Sequence, residues 1–349
     1  MTQPTIASKI ERYLRTGDYD LDGRAWPGDI LESLRRQKAD LRAALVEEVR
    51  RLAKGRTHEP VPADVGVAFT RAKVEPMVRG LFSKAEQEAV LATLERSVVY
   101  VTSETIEQII LNEMWPRSAW DLANMYLLSV GAKLLGRDAT RLVGMSEETT
   151  CFVAPSYFAE DDPFADFIVH EAAHIFHNCK RRTIGIPETR TKEWLLDINF
   201  VQRETFAYSC EAYARVLARA KSPAERRALA TEYGAKRRIS EERVDPDEVA
   251  SIVAEAAEAR NGWKVILARC APPKTKRRSV LELARELLAA TPPTDREACS
   301  PVFPPAETGE RAPAERIEES ARAALVEGEP RATPRSPSRR PRPMPLVSV

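Results

Sequence analysis

Cysteine is scarce in this chain and follows no pattern. Its five residues, at positions 151, 179, 210, 270 and 299, are odd in number and widely spaced, and no CxxC occurs. This excludes zinc-ribbon and finger frameworks, argues against a disulfide scaffold, and points to reduced thiols in a cytoplasmic setting. Net charge is almost absent: 53 Lys and Arg stand against 52 Asp and Glu, so no global field draws the chain to nucleic acid or an acidic membrane. Long apolar runs are also missing. The most apolar stretch, 119–135, is broken by Asp121, Asn124 and Lys133 and falls short of a membrane span. The N-terminal sequence MTQPTIASKIERYLRTGDYDLDG has no secretory h-region. The expectation is a soluble chain whose 349 residues, 43% of them apolar, can bury a substantial core.

What is present is mostly helical pattern. A short helix is expected over 6–15, and a longer one from near Pro27, with Ile30, Leu31, Leu34, Leu41, Leu45 and Val49 as an apolar stripe that packs on the main domain. THEPVPADVGV at 57–67 reads as a linker. Ser83 with Glu86 forms a capping box, SVVYVT at 97–102 reads as a strand, and helices follow near Ser103 and from Pro116. TTCFVA at 149–154 reads as another strand. After it, Asp162 as cap and Pro163 as first residue open a helix that runs to about Asn178. A further helix is expected from near Glu193 to Arg219. Starts at Ser222–Pro223, Asp245–Pro246 and Ser279–Glu282 make 190–290 almost wholly helical.

Beyond Ala290 the composition changes: residues 292–349 hold 12 of the 25 prolines, with one weak helical island at 314–326. The organisation expected is an N-terminal helical region (1–60), a main domain (61–290) and a disordered Pro/Arg-rich tail (291–349), the tail being the one segment that offers itself to a separate partner.

Histidine is the rarest informative residue, with four in the chain: His58, His170, His174 and His177. Three fall within eight residues, and His170-Glu171-Ala172-Ala173-His174 is an HExxH motif on a segment already read as helix. Positions four apart share a helical face, so both imidazoles reach one metal ion, and Glu171 lies where it can take a proton from a water that the ion polarises.

This arrangement resembles the zincin metallopeptidases over roughly residues 149–216. The metzincin extension HExxHxxGxxH fails, since His177 and Lys180 occupy its last two fixed positions. The resemblance is to the gluzincin branch, which takes its third ligand from a glutamate on a following helix. Glu204 is preferred because Glu204-Thr205-Phe206-Ala207 resembles the Glu-x-Phe-Ala run of aminopeptidase-like gluzincins. Glu211, seven residues on and near the same face, is the alternative ligand or a partner that orients a histidine. The resemblance implies an α+β fold dominated by helix: a zincin-like core with a small sheet, an active-site helix and a glutamate-bearing helix. It also implies Zn²⁺ as cofactor and a peptide or protein as substrate.

Other assignments are weaker. His177 is read as a contact to a ligand histidine, as a substrate contact or as a plain surface residue. By resemblance, the strand around Cys151, Phe152 and Val153 is the edge on which extended peptide docks. Tyr208 and Tyr213, with Arg203 and Tyr157 behind them, are nominees for stabilising an oxyanion. Cys179 and Cys210 are lesser candidates for ligation. Lys180, Arg181, Arg182, Arg190 and Lys192 form a basic loop expected either to border the cleft or simply to be solvated. The function expected is a cytoplasmic zinc peptidase with Glu171 as general base. Its rivals are a regulatory protease with a single partner substrate and a metal-stabilised interaction protein without turnover. No helix-turn-helix or aromatic-basic array supports nucleic-acid binding in the folded part.

Overall fold

Eleven residues form the one sheet among the described residues: β1 (Val98–Tyr100), β2 (Gly144–Glu147) and β3 (Thr150–Val153), in the order β1-β3-β2. The computed structural model describes residues 5–236, 239 and 241–273. The expected helix start at Ser279, the island at 314–326, Cys299 and the Pro/Arg-rich tail lie outside the described residues. β3 is central. It pairs parallel with β1, Val98 opposite Cys151, and antiparallel with β2, Gly144 opposite Val153. Side chains alternate along it, so Cys151 and Val153 enter one core while Phe152 enters another.

The Phe152 side is covered by N-terminal helices. α1 (Ile6–Thr16) and α2 (Ile30–Ala53) pack with α5 (Ile106–Asn112) and α6 (Pro116–Ser129) around Tyr13, Leu41, Leu45 and Trp120. The Tyr13 hydroxyl donates to Pro116 O at 2.7 Å and Trp120 Nε1 to Leu14 O at 3.0 Å, so the aromatic polar ends are satisfied inside the core. The apolar stripe of α2 is buried only from its middle onward. The helix starts at Ile30 behind the Asp29 cap rather than near Pro27, and Ile30 and Leu31 remain exposed.

The Cys151 and Val153 side faces α3 (Val67–Leu81), α4 (Lys84–Leu94), α7 (Phe167–Asn178), α8 (Arg203–Arg219) and α11 (Gly262–Cys270). The expected capping box opens α4. A third, smaller core joins α8 to α9 (Pro223–Lys236) and α10 (Pro246–Glu258) through Phe164, Val216, Val249 and Val253. No helix among the described residues is long and apolar enough to cross a membrane. The result is a predominantly helical fold with a three-stranded sheet, and α7 and α8 lie side by side next to it.

Two further expected boundaries move. The helix with the HExxH motif starts at Phe167, not Pro163, because the Asp166 carboxylate, not that of Asp162, accepts from a first-turn amide, Val169 N at 3.5 Å. The glutamate helix starts at Arg203, not near Glu193. The preceding segment is held open because Leu195 N donates to Cys179 O and Leu196 N to Phe176 O, which supplies partners for carbonyls at the end of α7.

Candidate metal centre

α7 is apolar on most of its circumference: Ile168, Val169, Ala172, Ala173, Ile175 and Phe176 are buried, leaving one narrow polar face. On that face His170 and His174 lie one turn apart. On α8, Glu204, Tyr208 and Glu211 recur at the spacing that keeps one side of a helix turned to its neighbour. Packing of the two helices sets these faces together.

His170 Nε2 and His174 Nε2 are 3.2 Å apart, and Glu204 Oε2 is 3.3 Å from His174 Nε2 and 3.8 Å from His170 Nε2. The three donor atoms lie within 4.8 Å of one another, the gathering of His, Cys and carboxylate side chains able to hold a metal ion among the described residues. Bonds of ~2.0–2.1 Å to one tetrahedral cation would separate its donors by ~3.3 Å, so the spacing found fits such an ion. Both histidine side chains are 12% exposed and Glu204 is 30% exposed, which leaves an approach from one side. The arrangement is consistent with the His-x-x-x-His…Glu motif typical of gluzincin metallopeptidases, and it is capable of coordinating a metal ion.

Glu211 takes a different place from Glu204. Its Oε2 accepts from His170 Nδ1 at 3.0 Å, and its Oε1 accepts from the backbone N–H of Asp166 at 2.7 Å. A carboxylate only accepts, so Nδ1 of His170 carries a proton, and Nε2 is the nitrogen left to face Glu204. Asp166 is itself held by Lys73 Nζ at 2.6 Å and by the Tyr157 hydroxyl at 3.3 Å. His177 also stands outside the three-atom gathering, with Nε2 2.9 Å from Nδ1 of His174.

Charges follow this geometry. Burial opposes a charge on His170, but the Glu204 and Glu211 carboxylates outweigh it and raise its pKa to about 10. Burial would raise Glu204, yet the two imidazoles hold it far below the usual carboxylate range. Burial and the neighbouring His174 and Arg203 push His177 down to about 3. Glu171 turns toward β2. Burial raises its pKa, against the pull of His170, His174 and a hydrogen bond from Ser146.

The site opens into a cleft of about 770 Å³, lined by the 140–146 segment, α7 and α8. Tyr208 lines it with its ring 4.6 Å from that of His170, and Arg203 lies at the rim with its guanidinium 3.8 Å above the Phe200 ring. Tyr213 does not line the cleft: it is buried against Trp263, ring centroids 4.9 Å apart, and against Gly262. Tyr157 is turned to Asp166.

The strand expected at the edge is not at an edge. Cys151, Phe152 and Val153 belong to β3, both of whose sides are paired, and Cys151 and Val153 are fully buried. The terminal strand that lines the cleft is β2, through Gly144, Met145 and Ser146. Its sequence GMSE carries little apolar alternation, and only the Gly144 position hints at a close approach: a methyl there would strike the Glu171 carboxylate.

The basic loop does not line the cleft either. Lys180 pairs with Glu193 at 2.6 Å, and Arg181 is buried against Glu86 and donates to Pro187 O at 3.0 Å. The arginines on the cleft wall are Arg141, Arg203 and Arg243. Cys179 and Cys210 are buried free thiols outside the metal-binding set. No known protein family, curated protein or solved structure matches the chain.

Proposed function

We propose that the chain is a zinc-dependent peptidase in which His170, His174 and Glu204 hold the ion and Glu171 is the general base. The observation that carries this reading is the convergence of those three donor atoms within 4.8 Å beside a buried glutamate at the wall of an open cleft. Two neutral nitrogens and one carboxylate form a donor set suited to Zn²⁺, which supplies Lewis acidity to a water and to the carbonyl under attack.

The chain's own residues do the rest. Glu171 accepts the proton of the attacking water on a carboxylate oxygen and returns it to the departing amine nitrogen. Gly144 leaves room for that carboxylate against the strand, and Ser146 orients it. β2 has one side paired with β3, so its other side offers backbone N–H and C=O groups to an extended peptide. Tyr208, packed on His170, supplies the hydroxyl that donates to the oxyanion. The four unpaired buried cysteines among the described residues support a reducing, cytoplasmic setting for this activity.

The reading is tested by incubating Zn²⁺-loaded wild type and Glu171→Gln with a mixture of unstructured peptides and following new termini by mass spectrometry. Cleavage by wild type alone, with equal metal in both proteins, is the result expected. Equal cleavage by both proteins overturns the role of Glu171, and its absence in fully loaded wild type overturns the peptidase reading.

A further inference from the structure

The two histidines that point at Glu204 are backed by different chemistry. His170 gives its Nδ1 proton to the Glu211 carboxylate, whereas the Nδ1 of His174 faces another imidazole, His177 Nε2 at 2.9 Å, with the two rings 84° apart. His177 follows His174 by three residues on α7, and so sits on the same side of the helix one turn nearer its C-terminus. It is half-buried and lines the cleft next to the metal-binding set without joining it.

We infer that His177 is a positioning residue that fixes the tautomer and the ring angle of His174. The inference rests on the reading above, that His174 is a metal ligand. Two imidazole nitrogens 2.9 Å apart bond only if one of them carries the proton. If His177 Nε2 carried it, Nδ1 of His174 would accept, and Nε2 of His174 would bear a proton just where it meets His170 Nε2 at 3.2 Å and Glu204 Oε2 at 3.3 Å. A protonated nitrogen cannot ligate. With the proton on His174 Nδ1, His177 Nε2 accepts it, and Nε2 of His174 keeps its lone pair for the ion.

Glu211 performs the equivalent task for His170 with a negative charge, while His177 performs it without one. The bound ion thus faces one histidine made more basic by a carboxylate and one that is not.

The test uses full-length protein, Zn²⁺ and two variants. His177→Leu fills the space without an acceptor, and His177→Gln keeps an acceptor oxygen. Zn²⁺ affinity is measured by competition with a chelator, and the tautomer of His177 by long-range ¹H–¹⁵N spectra of the Zn²⁺-loaded protein. The expected results are an unprotonated, accepting Nε2 on His177 in wild type, a loss of about ten- to a hundredfold in Zn²⁺ affinity in His177→Leu, and recovery of most of that loss in His177→Gln.

Wild-type affinity in His177→Leu, or a proton on Nε2 of His177 in Zn²⁺-loaded wild type, overturns the inference. Equal weakening in both variants assigns His177 a packing role and overturns it too. If wild type takes up no Zn²⁺ at all, the peptidase reading fails and the inference fails with it, whereas Zn²⁺ uptake without these His177 effects sinks the inference alone. Should His177→Leu fail to fold, His177→Gln and the wild-type spectra carry the test.

Discussion

Glu211 Oε2 meets Nδ1 of His170 at 3.0 Å while Glu211 Oε1 accepts the Asp166 N–H at 2.7 Å, so one carboxylate ties His170 to the start of its own helix. A glutamine at 211 has only one acceptor oxygen for these two donors. Glu211→Gln is therefore expected to lose about 1–3 kcal/mol of stability from a buried donor left without a partner. Zn²⁺ affinity should drop about ten- to a hundredfold while stoichiometry is kept. Urea denaturation and chelator competition check the two effects separately.

Gly144 lies against the carboxylate of Glu171. In Gly144→Ala the new methyl overlaps the buried Glu171 side chain as far back as Cγ, so unfolding free energy should fall by about 1–3 kcal/mol. Turnover should fall by roughly the 10²–10⁴-fold that a positioned base supplies, with Zn²⁺ content unchanged. Peptide hydrolysis measured beside metal content separates this outcome from loss of the ion.

Glu147, at the end of β2, has its pKa raised to about 7 by burial and by the neighbouring Glu113 and Asp121, against the bond from the Ser118 hydroxyl. A carboxyl raised in the folded state contributes stability that is full below its unfolded pKa of 4.5 and is lost as pH rises through about 7. Wild type is thus expected to be more stable at pH 5 than at pH 8. Glu147→Gln should shrink that difference, as urea denaturation at both pH values would show.

Glu148 turns the β2–β3 hairpin with φ of 45°, the one non-glycine residue of positive φ among the described residues. Left-handed backbone costs an ordinary side chain about 1–2 kcal/mol, and asparagine tolerates it better. Glu148→Asn should raise the thermal midpoint, because the bond lost, from the Thr183 hydroxyl at 3.4 Å, is long and exposed. A lowered midpoint would show that the turn is held by something other than local backbone preference.

The parts of this centre that follow from helical periodicity were legible in the sequence. The spacing of His170 and His174 places them on one face, and the thirty residues to Glu204 leave room for a loop and a returning helix. That Glu204 and not Glu211 approaches Nε2 was not legible, because both share a face of α8 and the choice depends on how far α8 slides along α7. The Leu195 and Leu196 hydrogen bonds at the end of α7 help fix that offset through contacts remote in sequence. β2 was missed because Gly-Met-Ser-Glu has no β-like pattern, and with it went the knowledge that β3 is central. Pro163 misled because a favourable first-turn residue does not make a helix where a better cap, Asp166, lies three residues on.

His170, His174 and Glu204 are proposed to hold one divalent metal ion. Plasma mass spectrometry on natively purified wild type, His170→Ala, Glu204→Gln and Glu211→Gln tests it most directly. About one zinc per chain is expected in wild type, none in His170→Ala, a large loss in Glu204→Gln, and in Glu211→Gln partial loss during purification that saturating zinc restores to one per chain. No metal in wild type after reconstitution with zinc would contradict it, as would full occupancy in Glu204→Gln.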